Sequence, residues 1–172
     1  MLILFVLGSI AGCFHRYTVV EPPNKSLTDH SILEISEFKT SLNDAKSRSL
    51  ANRFAYRLHW AIKNHREKNP EDIVYQEVTL ATDKTRGVLL MQGTITRYEE
   101  GSRAMRYWIG LGAGKAQCTI RVIFIDKESG EELSRTNFEG TLVMGVFGGD
   151  SDEAVDGVID AFIDYMKKYM ST

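Results

Sequence analysis

The glycine-rich run at residues 110–115 contains the residue types that cradle phosphate groups. A phosphate-binding loop contains a Gly-Lys pair, which here would be Gly114 and Lys115. It also needs a second Gly five residues before Gly114 and a Ser or Thr directly after Lys115. Ile109 and Ala116 stand at these two positions. The run also precedes a predicted strand, whereas the glycines of a dinucleotide-binding fingerprint open a helix. The pattern therefore argues against a nucleotide site.

The same region has the composition of an interaction loop. Its glycines allow backbone conformations that other residues avoid, and Tyr107 and Trp108 would form an apolar tip. A hairpin commonly needs only about two to five loop residues, and longer loops often carry function. The alternative is that these side chains fold back onto the core. The candidate interaction residues are Arg103, Arg106, Tyr107, Trp108, Gly110, Gly112, Gly114 and Lys115.

The other side chains that could do chemistry form no catalytic or metal-binding pattern. His59 and His65 are six residues apart, which does not place them on one helix face as a pair of metal ligands. The acidic residues after Gly149 lack the spacing of a calcium loop, and helix capping explains them. Cys118 has no partner cysteine or motif, so we expect a buried, inert thiol. The sequence predicts no catalytic residue and no metal.

An apolar leader ends at Cys13. The leader is shorter than the roughly 20 residues that span a bilayer, and it has the length of a signal-peptide core. Its last residues and the cysteine, Ile10-Ala11-Gly12-Cys13, resemble the lipobox of bacterial lipoproteins. The resemblance implies that Cys13 receives diacylglycerol, that the leader is removed before it and that the new amino group is usually acylated. This covalent lipid is the only cofactor we expect, and two or more acyl chains would anchor the protein stably in a membrane.

The residue after the cysteine carries sorting information in Gram-negative lipoproteins, where Asp retains the protein in the inner membrane. Phe14 stands there, so the resemblance implies the outer membrane, with the protein facing the periplasm. Residues 14–30 are polar, contain Pro22-Pro23 and show no sustained period, which indicates a tether. As flexible coil, such a tether would reach roughly 20–25 Å. The alternative is a cytosolic protein whose first strand happens to end in Cys.

Beyond the tether, the hydrophobic pattern predicts a single α+β domain over residues 31–172. Two helices are expected. The first is capped by Ser41 or Asn43 and stopped by Asn69-Pro70, and the second covers residues 151–169, with acidic residues in its first turn and Lys in its last. About five strands are expected, over residues 31–38, 73–80, 87–98, 116–126 and 132–146. The order β-α-β-β-β-β-α is typical of one mixed or antiparallel sheet with both helices packed on one face.

Composition limits the partners. The chain has 172 residues, of which 43% are apolar and 26% charged, as in ordinary globular domains. The net charge is −2, so no broad positive field attracts nucleic acid, and no nucleic-acid partner is expected. If residues 1–12 are removed as a signal peptide and residues 13–30 form a lipidated tether, the remaining residues are enough for one hydrophobic core.

Several short, different motifs follow one another along this domain. They are residues 91–95, 101–104 and 110–116, then Asp126 with Gly130, and residues 147–149 before the last helix. Together they resemble the bacterial lipoprotein family named domain of unknown function 4410. More distantly, the layout is similar to the curli-secretion-channel lipoprotein, the TolB amino-terminal domain and the lipoprotein activators of penicillin-binding proteins. Those relatives bind or assemble, and the step from fold to function is an analogy.

The resulting hypothesis is a membrane-anchored bacterial envelope lipoprotein that serves as a non-catalytic binding or assembly module. Its expected partners are the membrane, through the lipid, and another envelope protein, and homo-oligomers are compatible with this role. The alternative hypothesis is an envelope hydrolase or nucleotide-binding enzyme of unrecognised type.

Overall fold

The computed structural model describes residues 12–100, 115–143 and 151–171. These residues form one mixed sheet and two long helices. The strands are β1 (Gly12–Glu21), β2 (Ile32–Ile35), β3 (Lys39–Thr40), β4 (Glu77–Thr79), β5 (Val88–Glu99), β6 (Ala116–Asp126) and β7 (Glu132–Val143). The helices are α1 (Ala45–Lys68) and α2 (Ser151–Tyr169), and two short 3-10 turns cover Leu27–Asp29 and Pro70–Asp72.

The sheet has the strand order β1-β7-β6-β5-β2-β4, and the short β3 continues beside β5. The four long strands β1, β7, β6 and β5 form an antiparallel block. By contrast, β2, β3 and β4 join it in parallel pairings, which need crossover connections. The helix α1 supplies the crossover between β3 and β4. The predicted α+β class and the two helices are thus confirmed, with seven strands in place of about five.

The tether predicted for residues 13–30 is wrong, because this segment belongs to the folded domain. Residues 12–21 form β1, which pairs antiparallel with β7 from Gly12 opposite Val143 to Glu21 opposite Arg135. Further along, Leu27 is buried in the core, and its carbonyl oxygen accepts a hydrogen bond from the Tyr75 hydroxyl at 3.1 Å. Aromatic and β-branched residues at Phe14, Tyr17, Val19 and Val20 favour a strand, and the interpretation as a tether did not take this signal into account.

The helix α1 begins at Ala45, two residues after the nearer predicted cap, Asn43. Asp44, and not Ser41 or Asn43, caps it, because the Asp44 carboxylate accepts a hydrogen bond from the Ser47 backbone N–H at 2.8 Å. Hydrogen bonds from Ser47 hold the pKa of Asp44 below its ordinary value. The last turn ends at Asn69, before Pro70, as expected. The buried stripe faces the sheet and includes Leu50, Phe54, Leu58 and Ile62.

An aromatic cluster fixes α2 to the antiparallel block. The Phe162 ring lies 4.7 Å from the ring of Phe138 on β7, and the Tyr165 ring stacks on Phe124 of β6 at 5.4 Å. Tyr17 of β1 meets Tyr165 edge to face at 5.4 Å. Such pairs add to the free energy gained from burial alone. The cluster therefore joins α2 to three neighbouring strands.

Gly140 lets α2 approach the sheet closely. A Cβ atom at this position would lie 1.9 Å from the backbone oxygen of Ala154 and 2.7 Å from the backbone nitrogen of Val158. On the same sheet face, a Cβ at Gly93 would overlap the ring of Phe38, which packs against Phe54 of α1. Both helices therefore cover one face of the sheet, as predicted, and no helix within residues 12–100, 115–143 and 151–171 covers the other face.

Replacing Leu58 or Phe162 by Ala should lower the free energy of unfolding by about 2–5 kcal/mol, because each large side chain leaves a cavity. Leu58 is 0% exposed and Phe162 is 1% exposed. Urea unfolding followed by circular dichroism measures the change. Asn52→Ala, on the exposed side of α1, is the matched control and should stay within about 0.5 kcal/mol of the original chain. Unchanged midpoints for both core variants would contradict the packing.

Gly140→Ala should destabilise the domain by about 1–3 kcal/mol or more, because the added methyl group meets α2 backbone atoms that cannot rotate away. Thr141→Ala, one residue further on and half-exposed on the opposite sheet face, is the control. Thermal unfolding of the two variants side by side gives the comparison. Equal melting temperatures would show that α2 does not lie as close to Gly140 as described.

Candidate functional site

Cys13 and the two strand ends that flank the predicted interaction loop lie at one end of the sheet. At this end β1 begins, with Gly12 paired to Val143, the last residue of β7. The neighbouring strand β6 begins here at Ala116, opposite Leu142, and β5 ends here, with Glu99 opposite Gln117. Both helices also begin at this end. We call it the anchor end, because it holds Cys13.

Cys13 is the second residue of β1 and pairs with Leu142 of β7. The next residue, Phe14, is already opposite Thr141, and its side chain is 59% exposed. A lipid on Cys13 would therefore emerge directly from the folded sheet, without an intervening flexible segment. The predicted reach of a coil tether does not exist in this structure.

The predicted interaction loop lies outside the described residues, except for Lys115. Lys115 is exposed and directly precedes β6. The positions Arg103, Arg106, Tyr107, Trp108, Gly110, Gly112 and Gly114 therefore remain predictions from the sequence. The described strands on either side, β5 and β6, place both ends of this segment at the anchor end, beside Cys13. Sequence reasoning alone did not connect these two predicted sites.

The histidines lie apart from one another, each with its own partner. The His15 ring contacts the Asp164 carboxylate at 3.1 Å, and the His65 ring contacts Asp72 at 2.7 Å. The His59 ring nitrogen Nε2 lies 3.0 Å from the Val78 carbonyl oxygen, within hydrogen-bond distance. Within the described ranges, no group of three or more His, Cys, Asp or Glu side chains is close enough to hold a metal ion.

Cys118 is the free thiol of the described core, and its predicted burial is confirmed. It is 0% exposed and lies opposite Gly140, beneath α2. Burial raises the pKa of its thiol to about 12. At neutral pH the group is therefore protonated and a poor nucleophile.

A shallow groove of about 470 Å³ crosses the uncovered sheet face. Lys39, Arg121 and Arg135 line it, which suggests an anion. However, Arg135 is already paired with Glu21 at 2.9 Å and with Glu132. Glu37 adds a negative charge to the rim. The groove is therefore a solvated sheet surface with most of its charge balanced.

The two helices carry opposite charges. The helix α1 has seven Lys or Arg residues and one Glu, whereas α2 has five acidic residues and two Lys. Part of this charge is paired between them, since the Arg57 guanidinium contacts Asp152 at 3.0 Å and Asp156 at 2.6 Å. Other charges on these helices also have partners within the chain, such as Arg53 with Asp152 and Asp164 with His15. Sequence reasoning missed this separation, although a charge count for each predicted helix would have found it.

An exposed aromatic pair lies on the outer side of α1. Tyr56 is 57% exposed and Trp60 is 45% exposed, and their rings meet edge to face at 6.2 Å. The Lys63 ammonium lies 5.2 Å from the centre of the Trp60 ring. Beside this pair, a groove of about 460 Å³ is lined by both helices, including Ile159 and Asp160 of α2. Sequence reasoning overlooked the pair because it followed only the buried stripe of this helix.

Comparison with protein families identifies the chain. The family model described as domain of unknown function DUF4410 matches residues 24–146. The chain belongs to the DUF4410 family. The resemblance expected from the motifs is thus confirmed, and the match includes β2 to β7, with β1 lying before it. Among curated proteins, none matches the chain by sequence.

Solved structures with a similar fold include PelC from Paraburkholderia phytofirmans, which was crystallised as a dodecamer. One PelC structure has a TM-score of 0.54 at 10% identity, covering 94% of this DUF4410 chain and 100% of PelC. A methionine variant of PelC has a TM-score of 0.50 at 13% identity, covering 88% and 95%. Lipoprotein GNA1162 from Neisseria meningitidis has a TM-score of 0.41 at 11% identity, covering 80% and 96%. At these identities, the PelC likeness shows a shared fold.

None of the helices in the described ranges is both long and apolar enough to cross a membrane.

Proposed function

We propose that this DUF4410 protein is a bacterial envelope lipoprotein, held in the outer membrane by acylated Cys13 and facing the periplasm. One observation carries the proposal: the lipobox-like sequence ends at Cys13, and the folded sheet begins at the same place. The acyl chains would then hold the anchor end of the domain directly against the bilayer. Such an anchor needs no membrane-spanning helix, because two or more acyl chains bind a membrane stably.

In this proposal the domain is a non-catalytic binding or assembly module. The crystallised PelC proteins are dodecamers, which supports a role in which copies of the chain also associate with each other. The buried, protonated Cys118 offers no nucleophile. The alternative function, an envelope hydrolase or nucleotide-binding enzyme, has no group of described side chains in its favour.

Cells fed a clickable fatty-acid analogue should label the original chain and leave Cys13→Ser unlabelled, because the thiol is the acceptor of the lipid. Cys118→Ser is the matched control: it removes the other cysteine and should keep the label. Membrane fractionation should follow the same division. Equal labelling of the original chain and Cys13→Ser would rule out the anchor.

We also propose that the segment containing Tyr107 and Trp108 binds the envelope partner, because the strands before and after it, β5 and β6, place its two ends at the end of the domain that would face the membrane. The double variant Tyr107→Ala, Trp108→Ala should lose crosslinks to that partner in cells and keep its melting temperature. Aromatic side chains are favoured anchors at interfaces. A large drop in melting temperature would instead assign these residues to the core, and unchanged crosslinks would remove the loop from the binding function.

A further inference from the structure

The outer surface of the two helices has the features of an interface. Exposed aromatic residues are enriched at the centres of interfaces, and Tyr56 and Trp60 are both about half exposed on α1. The surface is also large enough. With 24 residues, α1 is about 36 Å long, and two helices side by side cover roughly 700 Å², close to the ~800 Å² per partner of a standard interface.

The charges on this surface are complementary to each other. The α1 side presents Lys63 and Arg53 near the aromatic pair. The α2 side presents exposed carboxylates at Asp156, Asp160 and Asp164, of which Asp156 also contacts Arg57 and Asp164 also contacts His15 of the same copy. A second copy of the chain therefore offers what each helix lacks, an acidic row for α1 and a basic row for α2.

The groove between the helices matches the exposed tryptophan. The apolar part of its wall is formed by Ile159 and Ile163, which are 8% and 9% exposed, and Asp160 lies beside them. The rest of the wall is mostly polar and includes Lys68 and Lys167. An indole ring has the same combination of properties, since its body is apolar and its N–H group donates a hydrogen bond. Trp60 of a second copy could bury its ring against the two Ile side chains and donate to Asp160.

We propose that the helix surface is an interface between two copies of this chain. Trp60 of each copy lies in the groove between α1 and α2 of the other, and the basic α1 of each copy faces the acidic α2 of the other. The surface is used by both copies in the same way, as a two-fold axis requires.

The direction of the helices selects this axis. Both helices begin at the anchor end: Lys46 in the first turn of α1 is paired with Glu100, which follows β5, and α2 follows the end of β7. A two-fold axis along the helices brings α1 onto α2 of the other copy and keeps both Cys13 residues at the same end. An axis across the helices would place α1 on α1 and oppose like charges. This step rests on the proposed lipid anchor, because only the first arrangement lets one membrane hold both copies.

Crosslinking between two differently tagged copies tests the contact. One full-length copy carries Asn64→Cys, one turn after Trp60 on the exposed side of α1, and the other carries Asp160→Cys on α2. In cells treated with a short bis-maleimide, the mixed pair should form a product that carries both tags. Each variant expressed alone under two tags should form much less. Products that join α1 to α1, or no mixed product, would overturn the proposal.

Charge exchange gives an independent measurement. Lys63→Glu and Asp160→Lys should each weaken self-association by about two- to fivefold, as expected for one partly exposed ion pair, and a mixture of the two variants should recover it. Lys39→Glu, on the groove of the uncovered sheet face, makes the same charge change and should have no effect. Analytical ultracentrifugation of the full chain in detergent measures the dissociation constant, and circular dichroism checks that each variant is folded.

Three outcomes show how this inference and the proposed function stand or fail independently. If Cys13→Ser loses its lipid and still gives the mixed crosslink, the anchor and the interface are both supported. If wild-type Cys13 is not labelled and the mixed crosslink persists, the anchor fails while the interface stands. If the chain is monomeric and the Tyr56→Ala, Trp60→Ala double variant loses binding to vesicles of anionic lipid, α1 is a lipid-binding surface and the interface is overturned.

Discussion

The aromatic cluster beneath α2 is the contact on which the rest of this structure depends. Phe162 and Tyr165 reach from the helix to rings on β6 and β7, and Tyr165 also touches Tyr17 on the edge strand β1. Because Gly140 lacks a side chain, the α2 backbone lies close enough for these rings to meet. Without that approach, β1 would keep its hydrogen bonds to β7 and lose most of its packing against the core.

The docking of β1 changes what a lipid at Cys13 would do. A protein on a flexible tether can rotate freely above a bilayer. If the lipid is attached at the start of β1, there is almost no flexible chain between the bilayer and the folded domain, and the rotation of the domain is restricted. Tyr17 and Val19 pack against the core, so releasing the first strand would require breaking these contacts together with the ladder to β7. A membrane that held this lipid would therefore always face the same end of the domain, where β5 ends and β6 begins.

Charge is separated between the two helices in a chain whose net charge is only −2. Pairs such as Arg57 with Asp152 and Asp156 use part of this charge to hold α1 beside α2. These pairs are partly exposed, so each contributes little to stability, and their main effect is on orientation. The carboxylates and cations that remain on the outer surface give it a polarity that a second copy can match.

The sequence by itself determined the two helices, three of the four long strands, namely β5, β6 and β7, and the absence of a recognisable catalytic motif. Apolar residues at helical spacing, such as Leu58 and Phe162, indicate which face of a helix is buried, because the apolar stripe of each helix packs on the single sheet. The order of the motifs also led to the DUF4410 family. Because the sequence has no charge-dense or cysteine-rich segment, an ordinary α+β domain was the expected fold class. Local signals of this kind do not depend on knowing which distant segment will be a neighbour.

Only the tertiary structure decided the role of residues 12–30 and the layout of the surfaces. The strand β1 contains Tyr17, Val19 and Val20, which favour strands, but only its hydrogen bonds to β7, more than one hundred residues away, show that it joins the sheet and where it pairs. Asp44 caps α1, one residue after the predicted cap Asn43. Ser41, Asn43 and Asp44 can all serve as caps, and which of them does so depends on where β3 ends. Likewise, Trp60 became a candidate contact only when packing left it outside the core. Long-range pairing and packing determine these features, and neither can be read from residue types along the chain.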